Sequence, residues 1–538
     1  MAGKTWQEKA QSKRTQAAAA IPRDWILAES FRQNTTQNDP TNVLGIPRKC
    51  GILDEQELDI TENYDATALL EKIASGQFTA VKVTTAFSKR AAIAQQLTNC
   101  LTETFFERAL SRARELDEHL ATTGKPVGPL HGLPISIKDS FSVSGIPTTI
   151  GFVSFLDQPP RMTNSALVDV LLAAGAVLYV KTNIPQTMMT ADSHNNVFGR
   201  VLNPHSLHLG AGGSSGGEGA LVAMRGSILG IGTDIAGSIR IPALCCGVVG
   251  FKPSEGRVPY GGQLSGARPG GTGIGPVAGP LCHSVRDAEM LLRVVFDSNA
   301  ADLDSGVLGV HFRPYQSQST LTIGLMPEDP LLPLHPPMQR TLEAAIDKLA
   351  AAGHRIIDLS GQFPSLSDAK AIAWRYFSMD PENTPLSHVK KSGEPYIPSL
   401  KHTYDLTESG PEPTLRELYK LNIARSEFKG RILQAFVENK LDIILGPGYQ
   451  SCAVSHDSYG IPEYTLISNY LNYPACVIPY SQADRVADKR YIRDVTYTPK
   501  YKPQEIDGAP CHIHLTGRYF QEEKLLRDAA VVESALRS

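Results

Sequence analysis

"LPISIKD" at residues 133–139 and "NSALVDVLLAAGAVLYVKTN" at residues 164–183 decide the fold of this chain. "LPISIKD" and "GAVLYVKTN" read as strands, and "NSALVDVLLAAG" between them reads as a helix. The alternation returns downstream in "LTIGLM" (321–326), a helix from Met338 to Ala351, "HRIIDLS" (354–360) and "LDIILGPG" (441–448). A last helix, "QEEKLLRDAAVVESAL" (521–536), closes the chain. Strands interleaved with helices over such a length indicate an α/β fold around a largely buried sheet.

Upstream of this pattern the periodicity is helical in "DATALLEKIASG" (65–76), "TAVKVTTAFSKRAAIAQQL" (79–97, with Thr79 as its cap) and "TFFERALSRARELDEHLA" (104–121). Residues 1–60 read as a polar, helical N-terminal arm interrupted by Pro40 and Pro47. No long linker divides the remainder, so residues 61–538 are expected to form one large domain.

Bulk properties exclude several classes. The chain has 538 residues, 42% of them hydrophobic and 20% charged, which is globular composition. A formal net charge of −3 gives no electrostatic reason to expect nucleic acid or an anionic membrane as partner. No apolar run reaches the about 18–20 residues that span a bilayer. The N-terminus lacks the apolar region of a signal peptide, so a cytoplasmic protein is expected. Cys50, Cys100, Cys245, Cys246, Cys282, Cys452, Cys476 and Cys511 form no C-x-x-C pair and read as reduced, mostly buried thiols. His512 and His514 in "CHIHL" fit one strand face as metal ligands, but nothing nearby suggests a third ligand.

The chemistry concentrates in "GAGGSSGGEGALVAMRGSILGIGTDIAGSIRIPA", residues 210–243. A phosphate cradle is disfavoured because neither G-x-x-x-x-G-K-[ST] nor a placed G-x-G-x-x-G occurs. Gly213 to Gly217 match the G-x-S-x-G nucleophile elbow with Ser215 as nucleophile, but the elbow needs a hydrophobic strand before it. The preceding "LNPHSLHLGAG" is polar and glycine-rich. A third reading makes the stretch one device, in which small residues before Ser238 turn backbone N–H groups toward an oxyanion formed when Ser238 attacks a carbonyl. Serine needs a base for this. Lys138 and Lys181, each at a strand end, both qualify, and the residues alone do not choose between them. A plainer alternative is that the glycines make turns and the serines satisfy backbone groups.

The stretch from Gly212 to Ala243 resembles the long signature of the amidase signature family along its whole length. "GPLHGLPISIKDS" (128–140) resembles the segment bearing the family's catalytic lysine, and "GAVLYVKTNIPQTMM" (175–189) the strand and loop after it. "FKPSEGRVPY", "VAGPLCHSVRDAEMLL" and "GAPCHIHLTGR" keep family-like order, so the similarity covers nearly all of residues 60–538. The chain looks most like fungal acetamidase-type members, which are related to fatty acid amide hydrolase.

The resemblance implies a mixed sheet flanked by helices on both sides, and a Ser-cisSer-Lys triad. Lys138 would be the base, Ser214 the bridging serine after a cis peptide bond, and Ser238 the acylated nucleophile. Ile235, Ala236, Gly237 and Ser238 would supply oxyanion-hole amides, and Met188 would line the substrate site. Ser215 would support the network, Asp234 and Arg240 would hold the loop, and Lys181 would be structural. A neutral Lys138 requires a pKa near 7 against an ordinary value of about 10.4, a shift worth roughly 4–5 kcal/mol that burial can supply. Two positions depart from the pattern: Ala236 replaces a common glycine, and His514 a usual glutamine.

The implied activity is hydrolysis of a linear amide through an acyl-Ser238 intermediate, with no cofactor and no metal. Its partner is a small amide, and the N-terminal arm is compatible with a homodimer. An amidotransferase subunit and a non-catalytic binding protein on the same scaffold are the rivals. The loop "QTMMTADSHNN" (186–196) and the region of about 360–460 are expected to shape the pocket.

Overall fold

The computed structural model describes residues 4–33, 35–316, 318–404, 406 and 412–538. Residues 1–3 and 34 of the expected arm, and a few residues of the 360–460 region, lie outside these. In chain order the strands begin with β1 (Leu101–Thr104), β2 (Pro134–Lys138), β3 (Val177–Thr182) and a two-residue ribbon, β4 (His194–Asn195) with β5 (Gly199–Arg200). They continue with β6 (Leu229–Asp234), β7 (Val249–Lys252), β8 (Val277–Cys282), β9 (Thr322–Leu325) and β10 (Arg355–Asp358). The last are β11 (Ile443–Gly446), β12 (Ala475–Gln482) and β13 (Pro510–Thr516).

All but the ribbon join one 11-stranded sheet in the order β1-β3-β2-β6-β8-β7-β12-β13-β11-β9-β10. β3, β2 and β6 are parallel neighbours, as are β11, β9 and β10. The pairs between those two groups are antiparallel, so the sheet is mixed as expected. Helices flank it. Every residue of β2, β3 and β6 is buried, which is why these strands read as near-continuous apolar runs rather than as alternations.

The local signals act as their chemistry requires. Helix Ala80–Thr98 starts at Thr79, whose hydroxyl accepts the Lys82 amide at 3.1 Å. The helix expected from Met338 begins two residues earlier, at Pro336. Pro336 and Pro337 look like breakers in sequence, yet in a first turn their missing N–H groups have no intrahelical partner to lose.

Helix Trp6–Ala19 lies against its own chain. Its Lys13 pairs with Glu103 of β1, and Arg14 donates to the carbonyls of Asn196 and Val197 at 3.1 Å. Further on, the Val43 amide donates to Pro204 O at 3.0 Å, and the His208 amide to Asp39 O at the same distance. The arm is thus bound intramolecularly. No helix among the described residues is long and apolar enough to cross a membrane.

Candidate active site

The register of β2 with its neighbours separates the two lysines. Lys138 is paired with Thr182 on β3, whereas Lys181 is paired with Ile137. Residues paired across a sheet share a face and successive residues alternate, so the two lysines point to opposite faces. Lys181 is buried at 3.3 Å from Asp139 and also donates to Thr148 and to Pro147 O, which ties down the loop after β2. Lys138, the last residue of β2, donates to Ser214 Oγ at 2.7 Å and to Thr233 Oγ1, near the end of β6, at 2.8 Å.

Lys138 has no exposed surface, and burial pulls its amine down to about 7, with Asp234 and Glu218 resisting. Glu218 lies on the same face. Its carboxyl accepts from Ser136 Oγ at 2.5 Å and Thr182 Oγ1 at 2.9 Å, and burial pushes it up to about 8. Gly230 makes the room, since a Cβ there would meet Glu218 Oε2 at 2.0 Å. With its carboxyl largely protonated near neutral pH, Glu218 favours the ammonium only weakly, and Asp234 is the main charge that opposes the fall.

The glycine-rich stretch forms two helix starts held side by side. The peptide bond Gly213–Ser214 is cis, and helix Gly216–Ala223 begins just after Ser215. Helix Arg240–Cys246 begins just after Ser238 and Ile239. The Ser215 amide donates to Ser238 O at 3.2 Å, which sets Ser238 against the Ser214–Ser215 pair. Ser215 is fully buried, with its hydroxyl donating to Thr233 O and accepting from the Thr233 amide, both at 3.3 Å. Both capacities of that hydroxyl are engaged. No strand leads into it, only isolated bridges at Leu202 and Leu209, so the elbow geometry is absent.

Asp234 is the hub beneath the Ile235–Ser238 turn. It accepts from the Gly237 amide at 2.8 Å, the Ile239 amide at 3.1 Å, Arg240 Nε at 3.1 Å and Asn469 Nδ2 at 2.9 Å. Burial pulls its carboxyl upward, but Arg240 above all, with Lys252 and Asn469, holds it at about 2. Arg240 also donates to Asn469 Oδ1 at 2.6 Å and lies 3.0 Å from His514 Nε2, whose pKa falls well below its ordinary value through burial and the adjacent Arg240. A neutral His514 ring can accept from Arg240 there.

One expected oxyanion donor is placed differently. The Gly237 amide faces the Asp234 carboxylate, because a buried carboxylate gathers the nearest N–H groups. Among the described residues, the amides of Ile235, Ala236 and Ser238 have no acceptor within the protein. Gly237 instead supplies backbone shape. Its φ is +131°, and a Cβ would meet Thr465 Oγ1 at 2.2 Å. Thr465 donates to Ala236 O at 2.9 Å, fixing the turn from behind. The methyl of Ala236 is tolerated, and this residue lines the cavity with Ser238.

That cavity is walled by Ser238, Ile235, Ile241, Met188, Met189 and Trp374, among others. Met188 follows Thr187 in a turn with both φ angles positive, +69° and +59°. Thr233, Glu218, Thr465, Asn469 and Trp374 were not singled out in the sequence. Thr233 and Glu218 stand inside the signature stretch and were within reach, but nothing local marks Thr465 or Asn469, some 230 residues from the turn they support. Among the described residues, no group of three or more His, Cys, Asp or Glu side chains could hold a metal ion. His512 accepts the Gly448 amide at 3.0 Å, so it and His514 serve backbone and Arg240.

Asp234→Ala should destabilise the protein by about 3–5 kcal/mol, because it strands the buried Arg240 guanidinium. An unfolding free energy from urea titration within about 1 kcal/mol of the parent would refute the hub. The carboxyl is depressed on folding, so its contribution is present above an unfolded value of about 3.9 and lost as pH falls through about 2. The gap between variant and parent should therefore narrow in acid.

The family model described as Amidase matches residues 82–526. An Amidase of Gibberella moniliformis is 38% identical over 540 residues, covering all of both chains. An Acetamidase of Emericella nidulans is 36% identical, covering 99% of this chain and 98% of its own. A solved fatty acid amide hydrolase superposes with a TM-score of 0.92 at 30% identity, covering 99% of this chain and 96% of that one.

Proposed function

The chain belongs to the amidase signature family, and on that premise we propose that it hydrolyses a linear carboxylic amide through an acyl-Ser238 intermediate, with Lys138 as base and Ser214 as relay. The observation that carries this reading is the 2.7 Å contact between a fully buried lysine amine and Ser214 Oγ. At a pKa of about 7, a large fraction of Lys138 is neutral at neutral pH. Ser214 takes the Ser238 proton while passing its own to Lys138, and Ser238 Oγ attacks the carbonyl carbon. The amides of Ile235, Ala236 and Ser238 are the donors available to the developing oxyanion. The proton then returns from Lys138 through Ser214 to the leaving nitrogen, the C–N bond breaks, and water hydrolyses the acyl-serine by the same relay.

All of these groups lie in residues 61–538, to which we assign catalysis, with residues 1–60 as an arm held against that body. Relatives named Amidase and Acetamidase support the reaction class. The purified chain alone should release ammonia from a primary amide without ATP or an acyl acceptor. Activity that appears only with a second subunit and an acceptor would move the chain to the amidotransferases.

A further inference from the structure

We infer that Trp374 sets the length of acyl chain that Ser238 can accept, which makes the substrates amides of short, uncharged aliphatic acids. This inference rests on the acyl-serine reading above and adds the substrate class to it. Trp374 belongs to helix Leu366–Phe377 and walls the cavity that also contains Ser238. Its indole is held at two sides. Nε1–H donates to Thr403 O at 3.1 Å, and the ring meets Phe377 edge-on at 5.5 Å. The Thr403 hydroxyl in turn donates to Met189 O at 3.1 Å, which fastens the Trp374 segment to the Met188–Met189 loop opposite. The wall is therefore a braced ring rather than a free rotor.

The position of the relay tells which half of the substrate meets this wall. The leaving nitrogen has to face Ser214 to receive its proton. Ser214 is not among the residues that wall the cavity, whereas Met188, Met189, Ile241, Trp374 and Pro462 are. The acyl chain takes that apolar side. Among the described residues no ionised side chain lines the cavity, so a charged acyl group would lose its hydration without a partner there.

The test is kcat/KM over acetamide, propanamide, butanamide and hexanamide, with Trp374→Ala and Trp374→Phe beside the parent. A pocket too short by one methylene typically discriminates by about 10–200-fold. The parent should lose about 10-fold or more between butanamide and hexanamide. The hexanamide-to-acetamide ratio should rise about 10-fold or more in Trp374→Ala and by a smaller factor in Trp374→Phe. The phenylalanine variant keeps an aromatic ring against Phe377 and decides the matter if the alanine variant does not fold. A parent that uses both amides alike, a ratio unmoved by either variant, or a gain confined to bulky amines on an acetyl group would each overturn the inference. Labelling rates with ethyl and octyl fluorophosphonates separate the two levels. No adduct on Ser238 defeats the acyl-serine reading itself, whereas an adduct whose length dependence ignores Trp374 defeats only the role of the indole.

Discussion

Ser238→Ala should lower amide turnover by about 10⁴-fold or more while the protein stays folded. Three features make the variant clean. Among the described residues the Ser238 hydroxyl has no hydrogen-bond partner of its own, so alanine leaves no buried group unsatisfied. The carbonyl that accepts the Ser215 amide at 3.2 Å is main chain and survives. The Ile235 and Ala236 amides keep their places, since Asp234 and Thr465 hold the turn independently of that hydroxyl. What disappears is the atom that captures the acyl group, and any remaining rate reflects binding and the oxyanion donors. Steady-state kinetics, circular dichroism and peptide mapping of a fluorophosphonate adduct read the three parts separately. An adduct on Ser215, or a Ser238→Ala variant that keeps a tenth of the activity, would return the chain to the nucleophile-elbow reading.

Legibility in the sequence follows the range of the interactions. The strands β2, β3, β9, β10 and β11 were readable because each is a short apolar run beside a helix of clear period. Thr79 announces its helix because capping is a contact over three residues. The order of the strands was not readable, since β6 pairs with β8 past an intervening helix and β7, and β12 with β7 from more than 200 residues away. Choosing Lys138 over Lys181 from mechanics needed the β2–β3 register, which places the two lysines on opposite faces through a register shift after Ile135. Asn469 and Thr465 come from helix Glu463–Leu471, and no local pattern ties that helix to the turn it props. The destination of the Gly237 amide was equally hidden, because only the fold shows that Asp234 lies beneath it.

The second large effect concerns Lys138→Ala, which should slow amide hydrolysis by about 10³-fold, within the usual range for lost acid–base catalysis. A matched ester should lose at least about tenfold less. An alkoxide leaves without much help, whereas an amine has to be protonated before its C–N bond breaks, so the return leg of the relay matters more for the amide. The pH profile carries the same argument. Lys138 has to be neutral to accept a proton, and burial sets its pKa at about 7, so kcat/KM for an amide should climb with pH and level off above about 7. The variant should lose that limb. Folding stability should rise with pH in the same sense as activity, but over a higher window. The amine binds its proton less tightly in the folded state than in the unfolded state, so the parent gains stability as pH rises from about 7 toward the unfolded value of about 10.4. At pH 7 the neutral variant Lys138→Met is relieved of a desolvation penalty on the order of a few kcal/mol, offset in part by the lost hydrogen bonds to Ser214 and Thr233. A midpoint in urea that rises less at pH 10 than at pH 7, relative to the parent, would show that the buried amine is held against its preference. Equal losses on amide and ester would instead remove Lys138 from the proton-return step and leave it a structural lysine like Lys181.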